Sequence, residues 1–245
     1  MANSASGEAV LERALRLLDA VKTAPSPSVA ELVAAAGLPR TTGYRLVRSL
    51  RELGLLEVSA DGAVYVGRRV WELAQQAPIS RTLRTAALPF MQDVNSVVQQ
   101  STQLSVLAPE GVLIVERLSR HGAVVNPAEV ADTMPADRTS MGHVLLAFAA
   151  PAALKAWRHQ QSPDLLTEDS RLQRELAEVR ARGHSMLKGL INEESAGLSV
   201  PVLDQRRTAV AALTVVVPRD SPDLLQSLAA LQTASRGISR VLQEK

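Results

Sequence analysis

Residues 37–56 read GLPRTTGYRLVRSLRELGLL and decide the fold of the N-terminal part of the chain. On a helical wheel with 100° per residue, Leu46, Leu50 and Leu53 fall on one side of the predicted helix. The opposite side carries cations and hydroxyl groups, at Arg40, Thr41, Tyr44, Arg45, Arg48 and Arg51. A solvated helix face usually mixes Glu with its cations, whereas no acidic residue occurs between Gly37 and Arg51. The stretch therefore predicts a helix with an apolar inner face and a basic outer face.

Two further helices are predicted before this one. Apolar residues at helical spacing indicate a first helix over residues 8–21. Ser28, followed by Glu31 three positions later, forms a capping-box pattern that begins a short second helix. Gly37 is typical of the residue that ends such a helix, and Gly54 ends the third helix in the same way.

A β-hairpin is predicted directly after the basic helix. Short apolar segments at 56–58 and 64–66 flank Asp61-Gly62, a pair in which both residues can adopt a positive φ in a tight turn. Three helices followed by a hairpin are the element order of a winged helix-turn-helix domain.

The remaining sequence predicts a larger α+β domain built around an antiparallel sheet, since its strands and helices alternate without a βαβ rhythm. The predicted strands are 102–107, 112–118, 198–203 and 208–217, and the predicted helices are 85–100, 141–148, 170–182 and 222–243. We therefore expect a winged helix-turn-helix domain over residues 1–68, a linker helix over 69–84 and the second domain over 85–245.

The distribution of charge separates the two domains. Residues 1–70 contain nine Lys and Arg against seven Asp and Glu, a surplus of two, whereas the remaining 175 residues contain 18 of each. A local basic face matters more for a polyanionic partner than the overall charge of a protein. The whole excess of positive charge therefore lies in the domain that carries the basic helix.

The composition also restricts the class of protein. The chain has 245 residues and no cysteine, which excludes a disulfide scaffold and a cysteine nucleophile. No signal peptide and no apolar run long enough to span a bilayer is recognisable. We therefore expect a cytoplasmic protein without a membrane partner.

The basic face predicts recognition of double-stranded DNA. Arginine binds guanine edges and phosphates through two parallel hydrogen bonds, and Thr and Tyr hydroxyl groups reach phosphates. The alternative is an exposed basic helix without a partner, and the surrounding helix-turn-helix pattern favours DNA. The candidate DNA-binding residues are Arg40, Thr41, Thr42, Tyr44, Arg45 and Arg48.

No catalytic or metal-binding constellation is recognisable in the sequence, and no cofactor is expected. Ser185 and Lys188 match the S-x-x-K pattern of a serine hydrolase, although neither of its partner motifs follows. The four histidines lack metal-ligand spacing, and His143 is interpreted as a partly exposed surface residue. The alternatives to a ligand-responsive regulator are a DNA-binding protein whose second domain only oligomerises and a hydrolase that uses Ser185 and Lys188.

Several segments resemble the isocitrate-lyase-regulator (IclR) family of bacterial transcription factors. The specific matches in the first domain are LERALRLLDAV (11–21), VAELVAAAGLPRTTGYRLVRSLRELGLL (29–56) and YVGRRV (65–70). Looser matches follow in the second domain, at PADRTSMGHVLLA (135–147), VRARGHSML (179–187), SVPVLD (199–204) and VAALTVVVP (210–218). The resemblance implies a winged-helix domain, a linker helix and a GAF-like effector-binding domain, in a homodimer or homotetramer that acts on a promoter.

The resemblance also implies an effector cup in the second domain. Its lining residues are expected to be Ser140, Met141, Leu187, Gly197, Leu198, Thr214 and Val216. The family's better-known sensors of small ketoacids have a carboxylate, a cysteine and a second serine at the positions of Leu187, Gly197 and Val216, so this cup is more apolar. We therefore expect a small organic acid, with an aromatic carboxylate favoured, whose carboxylate is held by hydroxyl groups and a helix N-terminus without any arginine.

Assembly is expected to involve the first helix and the linker. A single winged helix contacts too little DNA for tight specific binding, so two copies have to be held at a fixed spacing. The first helix, with Arg13 and Leu17, and the linker near Trp71 are the predicted dimer surfaces.

Overall fold

The computed structural model describes residues 9–21, 26–77, 79–126, 128–161, 171–189 and 191–244. The chain divides into two compact units, Met1–Ala77 and Pro78–Lys245. The division falls inside the segment 69–84 that the sequence predicts as a linker helix, and the exact domain bounds remain a prediction. Residues 8 and 170, at the ends of two predicted helices, and Pro78, within the predicted linker, lie outside the described residues.

The first unit contains the predicted three helices and hairpin. In chain order these elements are α1 (Val10–Ala20), α2 (Val29–Ala35), α3 (Arg40–Glu52), β1 (Leu56–Val58), β2 (Val64–Val66) and α4 (Arg68–Ala74). One aliphatic core joins them, with Leu17, Leu32, Val47, Leu50, Leu56 and Val64 each at most 4% exposed. The hydrophobic faces of three short helices and a hairpin are thereby buried against one another.

The sequence signals for the ends of α2 are confirmed. The Ser28 backbone N–H donates to Glu31 Oε2 at 2.8 Å, and the Glu31 N–H donates to Ser28 Oγ at 3.3 Å. The hydrogen bonds from the Ser28 backbone and hydroxyl lower the pKa of the Glu31 carboxyl. Gly37 follows the helix with a φ of 62°, a conformation that side chains with a Cβ rarely adopt.

The β1–β2 hairpin is confirmed, but the predicted turn geometry is wrong. Of the pair Asp61-Gly62, only Gly62 has a positive φ, at 87°. The Gly62 N–H donates to Ser59 O at 3.0 Å, and the Ser59 N–H donates to Ala63 O at 2.9 Å. The loop is therefore a turn from Ser59 to Gly62 followed by a glycine bulge, and it spans residues 59–63, which the predicted strands also left between them.

The first helix departs from the prediction in one respect that concerns assembly. Leu17, predicted on a dimer surface, is fully buried in the core of its own unit. The exposed apolar residues of α1 are instead Val10, Leu11 and Leu15. Trp71 on α4 is 64% exposed, and Leu73 lies exposed on the same short helix.

The second unit is built on a six-stranded antiparallel sheet. Its strands are β3 (Ser101–Ala108), β4 (Gly111–Leu118), β5 (Thr133–Met134), β6 (Ser185–Lys188), β7 (Ser195–Leu203) and β8 (Ala209–Pro218). They lie in the order β5-β4-β3-β8-β7-β6, with every neighbouring pair antiparallel. The expected α+β class with an antiparallel sheet is confirmed, and β5 and β6 are additions that the sequence analysis did not predict.

Helices cover both faces of this sheet. They are α5 (Thr85–Val98), which continues a π-helical segment (Ile79–Arg84), α6 (Ser140–Ala147), α7 (Pro151–His159), α8 (Arg171–Arg182) and α9 (Leu224–Gln243). Residues of α5 and α9 pack with Leu104, Leu213 and Val215 in one core cluster. Residues of α6, α7 and α8 pack with Val112 and Ile114 in a second cluster. Because side chains alternate along each strand, residues adjacent in a strand contribute to different layers.

Candidate functional site

The basic face of α3 is exposed. Five of the six candidate residues are exposed to solvent, namely Arg40, Thr41, Tyr44, Arg45 and Arg48. Thr42 is half-buried and therefore less accessible. Leu46, Val47 and Leu50 are buried on the opposite side of the helix. The helix is thus anchored by its aliphatic side and presents its arginines outward, as the wheel predicted.

A glycine allows α3 to approach α2 closely. A Cβ at Gly43 would lie 2.3 Å from Val33 Cγ1, far inside van der Waals contact. Val33 is 1% exposed and β-branched, so it has little freedom to move away. The sequence analysis did not single out Gly43, although a glycine inside a predicted helix is a signal for a close crossing.

The arginines of α3 differ in their intramolecular partners. Arg48 Nε lies 3.0 Å from Glu52 Oε1, in an ion pair between highly exposed side chains. Exposed pairs of this kind stabilise a helix by only about 0.3–0.5 kcal/mol, so Arg48 can exchange this partner for a phosphate at little cost. The side chain of Arg45 makes no ion pair or hydrogen bond with any described residue.

The second unit contains a cavity between the sheet and the N-terminal end of α6. Six of the seven predicted cup residues line it, namely Ser140, Met141, Leu187, Gly197, Thr214 and Val216. Additional lining residues include Gln103, Asn126, Met134, Arg138, Ile191 and Asn192. The cavity measures about 50 Å³ as the space open to the centre of a water molecule, which is room for a few waters.

Leu198 does not line this cavity, and its assignment to the cup is wrong. Its neighbour Gly197 faces the cavity, and successive side chains of a strand point to opposite faces. Leu198 is therefore directed to the other side of the sheet, where it is 2% exposed and packs in the cluster formed with α5 and α9.

A chain of three buried hydroxyl groups runs beneath the cavity. Ser140 Oγ and Ser199 Oγ are 2.8 Å apart, and Ser199 Oγ and Thr214 Oγ1 are also 2.8 Å apart. Each of the three residues is at most 4% exposed. These hydrogen bonds connect the first residue of α6 to β7 and β8, which fixes the helix N-terminus over the sheet. Ser199 was not among the predicted site residues.

An arginine belongs to the cavity, contrary to the expectation of a cup without one. Arg138 lies two residues before α6, lines the cavity and is exposed to solvent. Its side chain makes no ion pair or hydrogen bond with a described residue. No Asp or Glu occurs among the described residues that line the cavity. The electrostatic character of the rim is therefore positive, and Arg138 was detectable as a cation directly before a predicted helix start.

Backbone groups add to this character. Thr139 caps α6, and its Oγ1 accepts a hydrogen bond from the Gly142 N–H at 3.1 Å. The N–H groups of Ser140 and Met141, in the first turn, have no intrahelical acceptor, and both residues line the cavity. Unsatisfied amides at a helix N-terminus favour an anion such as a carboxylate.

Gln103 is another lining residue that the sequence analysis missed. It lies on β3, within the predicted strand 102–107, and it is fully buried. The available signal was the long amide side chain, among shorter polar and aliphatic side chains, in a predicted strand. The sequence could not tell which face of the sheet it would occupy.

His143 is not the partly exposed surface histidine that the sequence suggested. It is 2% exposed within α6. Its Nε2 lies 2.8 Å from the Asp137 carbonyl oxygen, so the ring donates to that oxygen, and Glu175 Oε2 is 3.8 Å away. The turn that precedes α6 folds back over the helix and covers the imidazole.

The geometry gives no support to the hydrolase alternative. Ser185 and Lys188 are three residues apart on β6, so their side chains point to opposite faces of the strand. Ser185 is buried, and Lys188 Nζ lies 3.5 Å from Asp220 Oδ1. Within the described ranges, no group of three or more His, Cys, Asp or Glu residues is arranged to hold a metal ion. No helix in the described part of the chain is both long and apolar enough to cross a membrane.

The chain is similar to known regulators along most of its length. The family model described as IclR helix-turn-helix domain matches residues 10–60, and the model described as Bacterial transcriptional regulator IclR C-terminal matches residues 75–240. The glycerol operon regulatory protein of Streptomyces griseus is 29% identical over 223 residues, which are 87% of this chain and 88% of that protein. The HTH-type transcriptional regulator KipR of Bacillus subtilis is 22% identical over 83% of both chains.

Solved structures agree with this assignment. An IclR homolog from Microbacterium hydrocarbonoxydans, complexed with 4-hydroxybenzoate, is 32% identical and matches with a TM-score of 0.86 over 97% of this chain and 100% of that chain. HmgR of Pseudomonas aeruginosa, at 24% identity and a TM-score of 0.76, shares the fold over 95% of this chain and 98% of its own. A basic helix-turn-helix and a second unit that matches the C-terminal model are both present, and the chain belongs to the IclR family of bacterial transcriptional regulators.

Proposed function

We propose that this regulator binds a promoter through α3 and that a small aromatic carboxylate, bound in the cavity of the second unit, modulates that binding. The observation that carries the proposal is the cavity itself. It combines a cation at the rim, a helix N-terminus in the wall and no carboxylate among its described lining residues. A second unit that served only for oligomerisation would have no need of such a site.

The DNA-binding part of the proposal rests on the outward face of α3. Arg45 is exposed and has no intramolecular partner among the described residues, and Arg48 is held only by an exposed ion pair. Thr41 and Tyr44 lie near the start of the helix, where their hydroxyl groups can reach phosphates and fix the register on the duplex. Arg40 and Thr42 complete the proposed interface, with Thr42 contributing at its edge.

The ligand's carboxylate is assigned to the N-terminal end of α6. Arg138, Ser140 and Met141 all line the cavity and lie at or within two residues of the start of α6, so their guanidinium, hydroxyl and amide groups are the proposed carboxylate partners. Met134, Leu187 and Val216 supply apolar walls for a ring. The 4-hydroxybenzoate complex of the 32% identical Microbacterium homolog supports the choice of an aromatic acid over a short ketoacid.

Ligand binding has to be coupled to a conformational change. The cavity of about 50 Å³ has room for a few waters, so an aromatic acid is expected to need more space than it offers. Flexible lining side chains such as Met141, Leu187 and Ile191 have to move apart when the ligand enters. A ligand that binds the wider arrangement shifts the population toward it, which is the thermodynamic requirement for regulation.

Isothermal titration calorimetry with benzoate, 4-hydroxybenzoate, glyoxylate and pyruvate tests the ligand class. We expect the aromatic acids to bind more tightly than the two ketoacids, because the ring buries apolar surface against Leu187 and Val216.

Arg138→Gln is expected to weaken aromatic acid binding about tenfold, because it removes a charge-assisted hydrogen bond at a partly solvated rim.

Arg158→Gln provides the matched control for this experiment. It removes one exposed arginine from α7 in the same unit, and Arg158 does not line the cavity. Its affinity for the acids should equal that of the wild type. Tighter binding of glyoxylate or pyruvate, or equal losses in the Arg138 and Arg158 variants, would contradict the proposed ligand and its orientation.

We propose further that the chain assembles as a two-fold dimer, or a dimer of such dimers, through apolar residues of its first unit. Val10, Leu11 and Leu15 on α1 and Trp71 and Leu73 on α4 are between 53% and 71% exposed. Exposed apolar clusters of this kind mark protein–protein contacts. Light scattering at micromolar concentration should give two or four times the mass of the chain, and Leu11→Ser with Leu15→Ser should lower it. A monomeric wild-type protein would refute this assignment.

A further inference from the structure

Gln103 is a buried polar residue without a hydrogen-bond partner among the residues that the structure describes. It is 0% exposed, and neither Nε2 nor Oε1 of its amide makes a hydrogen bond. An unpaired buried amide destabilises a folded protein, so each case in a native structure calls for an explanation. The side chain lines the cavity of the second unit, which indicates that its partner is a ligand.

The strand register places Gln103 away from the proposed carboxylate site. Gln103 on β3 is opposite Thr214 on β8, and Thr214 is opposite Ser199 on β7. Ser199 in turn binds Ser140 at the start of α6. Two strand spacings therefore separate Gln103 from the strand beneath the α6 N-terminus, a distance of about 10 Å between backbones. Gln103 therefore lies two strands away from the residue of the sheet that binds Ser140.

The neighbouring polar side chains already make hydrogen bonds within the protein. Thr214 Oγ1 shares a hydrogen bond with Ser199 Oγ. Asn126 Nδ2 donates to Ser101 Oγ at 3.3 Å, and its Oδ1 accepts from the Ala128 N–H. Asn192 Nδ2 donates to Val125 O, and its Oδ1 accepts from the Glu194 N–H. Of these three amides, only that of Gln103 makes no hydrogen bond to a described residue at either its nitrogen or its oxygen.

We infer that Gln103 is a specificity-determining residue whose amide hydrogen-bonds a hydroxyl group on the end of the ligand remote from its carboxylate. This inference rests on the proposed binding of an aromatic acid with its carboxylate at α6. An amide offers both donors and an acceptor, and a hydroxyl group can donate and accept at once. A ring that carries a methyl group at the same position leaves the buried amide unpaired, so the site discriminates against it.

Calorimetry with a series of 4-substituted benzoates tests the inference on the wild-type protein. The hydroxyl compound both donates and accepts, the methoxy compound only accepts, and the methyl compound does neither. We expect the dissociation constant to rise at least tenfold from 4-hydroxybenzoate to 4-methylbenzoate, with 4-methoxybenzoate between the two, because its oxygen can still accept from the amide N–H.

Gln103→Met is the decisive variant, because it keeps an unbranched side chain of similar size without the amide. We expect the preference for the hydroxyl compound to fall to within about twofold, while 4-methylbenzoate binds at least as tightly as before. Without ligand, the thermal midpoint of Gln103→Met should rise by a few degrees, because an unpaired buried amide is removed. Gln226→Met, at an exposed position of α9, is the matched control and should change neither quantity.

The outcomes separate this inference from the proposed function. Equal affinity of the wild type for the hydroxyl and methyl compounds, or an unchanged preference in Gln103→Met, overturns the role of Gln103 while the aromatic acid class stands. A lower thermal midpoint of Gln103→Met also overturns it, because the amide would then have partners in the unliganded protein. Failure of every benzoate to bind contradicts the proposed function, and the inference with it.

Discussion

Replacing Gly142 with alanine is expected to lower the free energy of unfolding of the second unit by about 3 kcal/mol. A Cβ on Gly142 would lie 2.0 Å from the Ala136 carbonyl oxygen and 2.4 Å from the Ala136 Cα. Both are backbone atoms, so no change of side-chain rotamer can relieve the contact. Urea denaturation in a Trp71→Phe background measures the effect, because the remaining Trp157 is buried in the second unit.

The same substitution is expected to weaken aromatic acid binding. The turn at Ala136–Arg138 leads directly into α6 and carries Arg138, which lines the cavity. Displacing that turn moves Arg138 and disturbs the cap that Thr139 forms with the Gly142 N–H. Adding Ala136→Gly should not restore stability, since the clashing atoms remain. Wild-type stability of Gly142→Ala, or its full rescue by Ala136→Gly, would show that the close approach is unimportant.

The fold of the first unit could be predicted because its signals are local. Ser28 and Glu31 cap α2 through atoms three residues apart, and Gly37 ends the same helix with a positive φ. The basic face of α3 is a property of one helix and needs no knowledge of the rest of the chain. The error at Asp61-Gly62 concerns only the backbone conformation of Asp61, because the same dipeptide is compatible with several turn types.

Errors in the second unit arose where the result depends on packing between distant segments. Gly197 and Leu198 were both assigned to the cup by position, although strand alternation allows only one of them to face it. His143 is buried because the segment before α6 folds over it. Gln103 becomes a candidate only when the sheet order brings β3 beside β8. That pairing joins residues more than one hundred positions apart.

Arg45→Ala is expected to weaken specific operator binding by about 1–3 kcal/mol, which is about 5- to 150-fold in the dissociation constant. The guanidinium of Arg45 is exposed on α3 and has no partner among the described residues. DNA binding therefore does not have to break an intramolecular interaction of this side chain. Gel-shift titration measures the effect on an operator that the wild-type protein enriches from a random pool of duplexes. If Arg45 reads a base edge, the preference for one operator base pair should relax as well.

Arg206→Ala separates this specific contact from a general effect of charge. Arg206 is exposed in the turn between β7 and β8 of the second unit, and its removal changes the net charge by the same amount.

Arg48→Ala should lower affinity for all DNA sequences and reduce the slope of log K against log salt by about one, as expected for a phosphate contact. Glu52→Gln should tighten binding slightly, because it frees Arg48 and removes a negative charge from the interface. Equal losses in Arg45→Ala and Arg206→Ala would reduce the role of α3 to bulk electrostatics, and unchanged affinity in both Arg45→Ala and Arg48→Ala would remove α3 from the interface altogether.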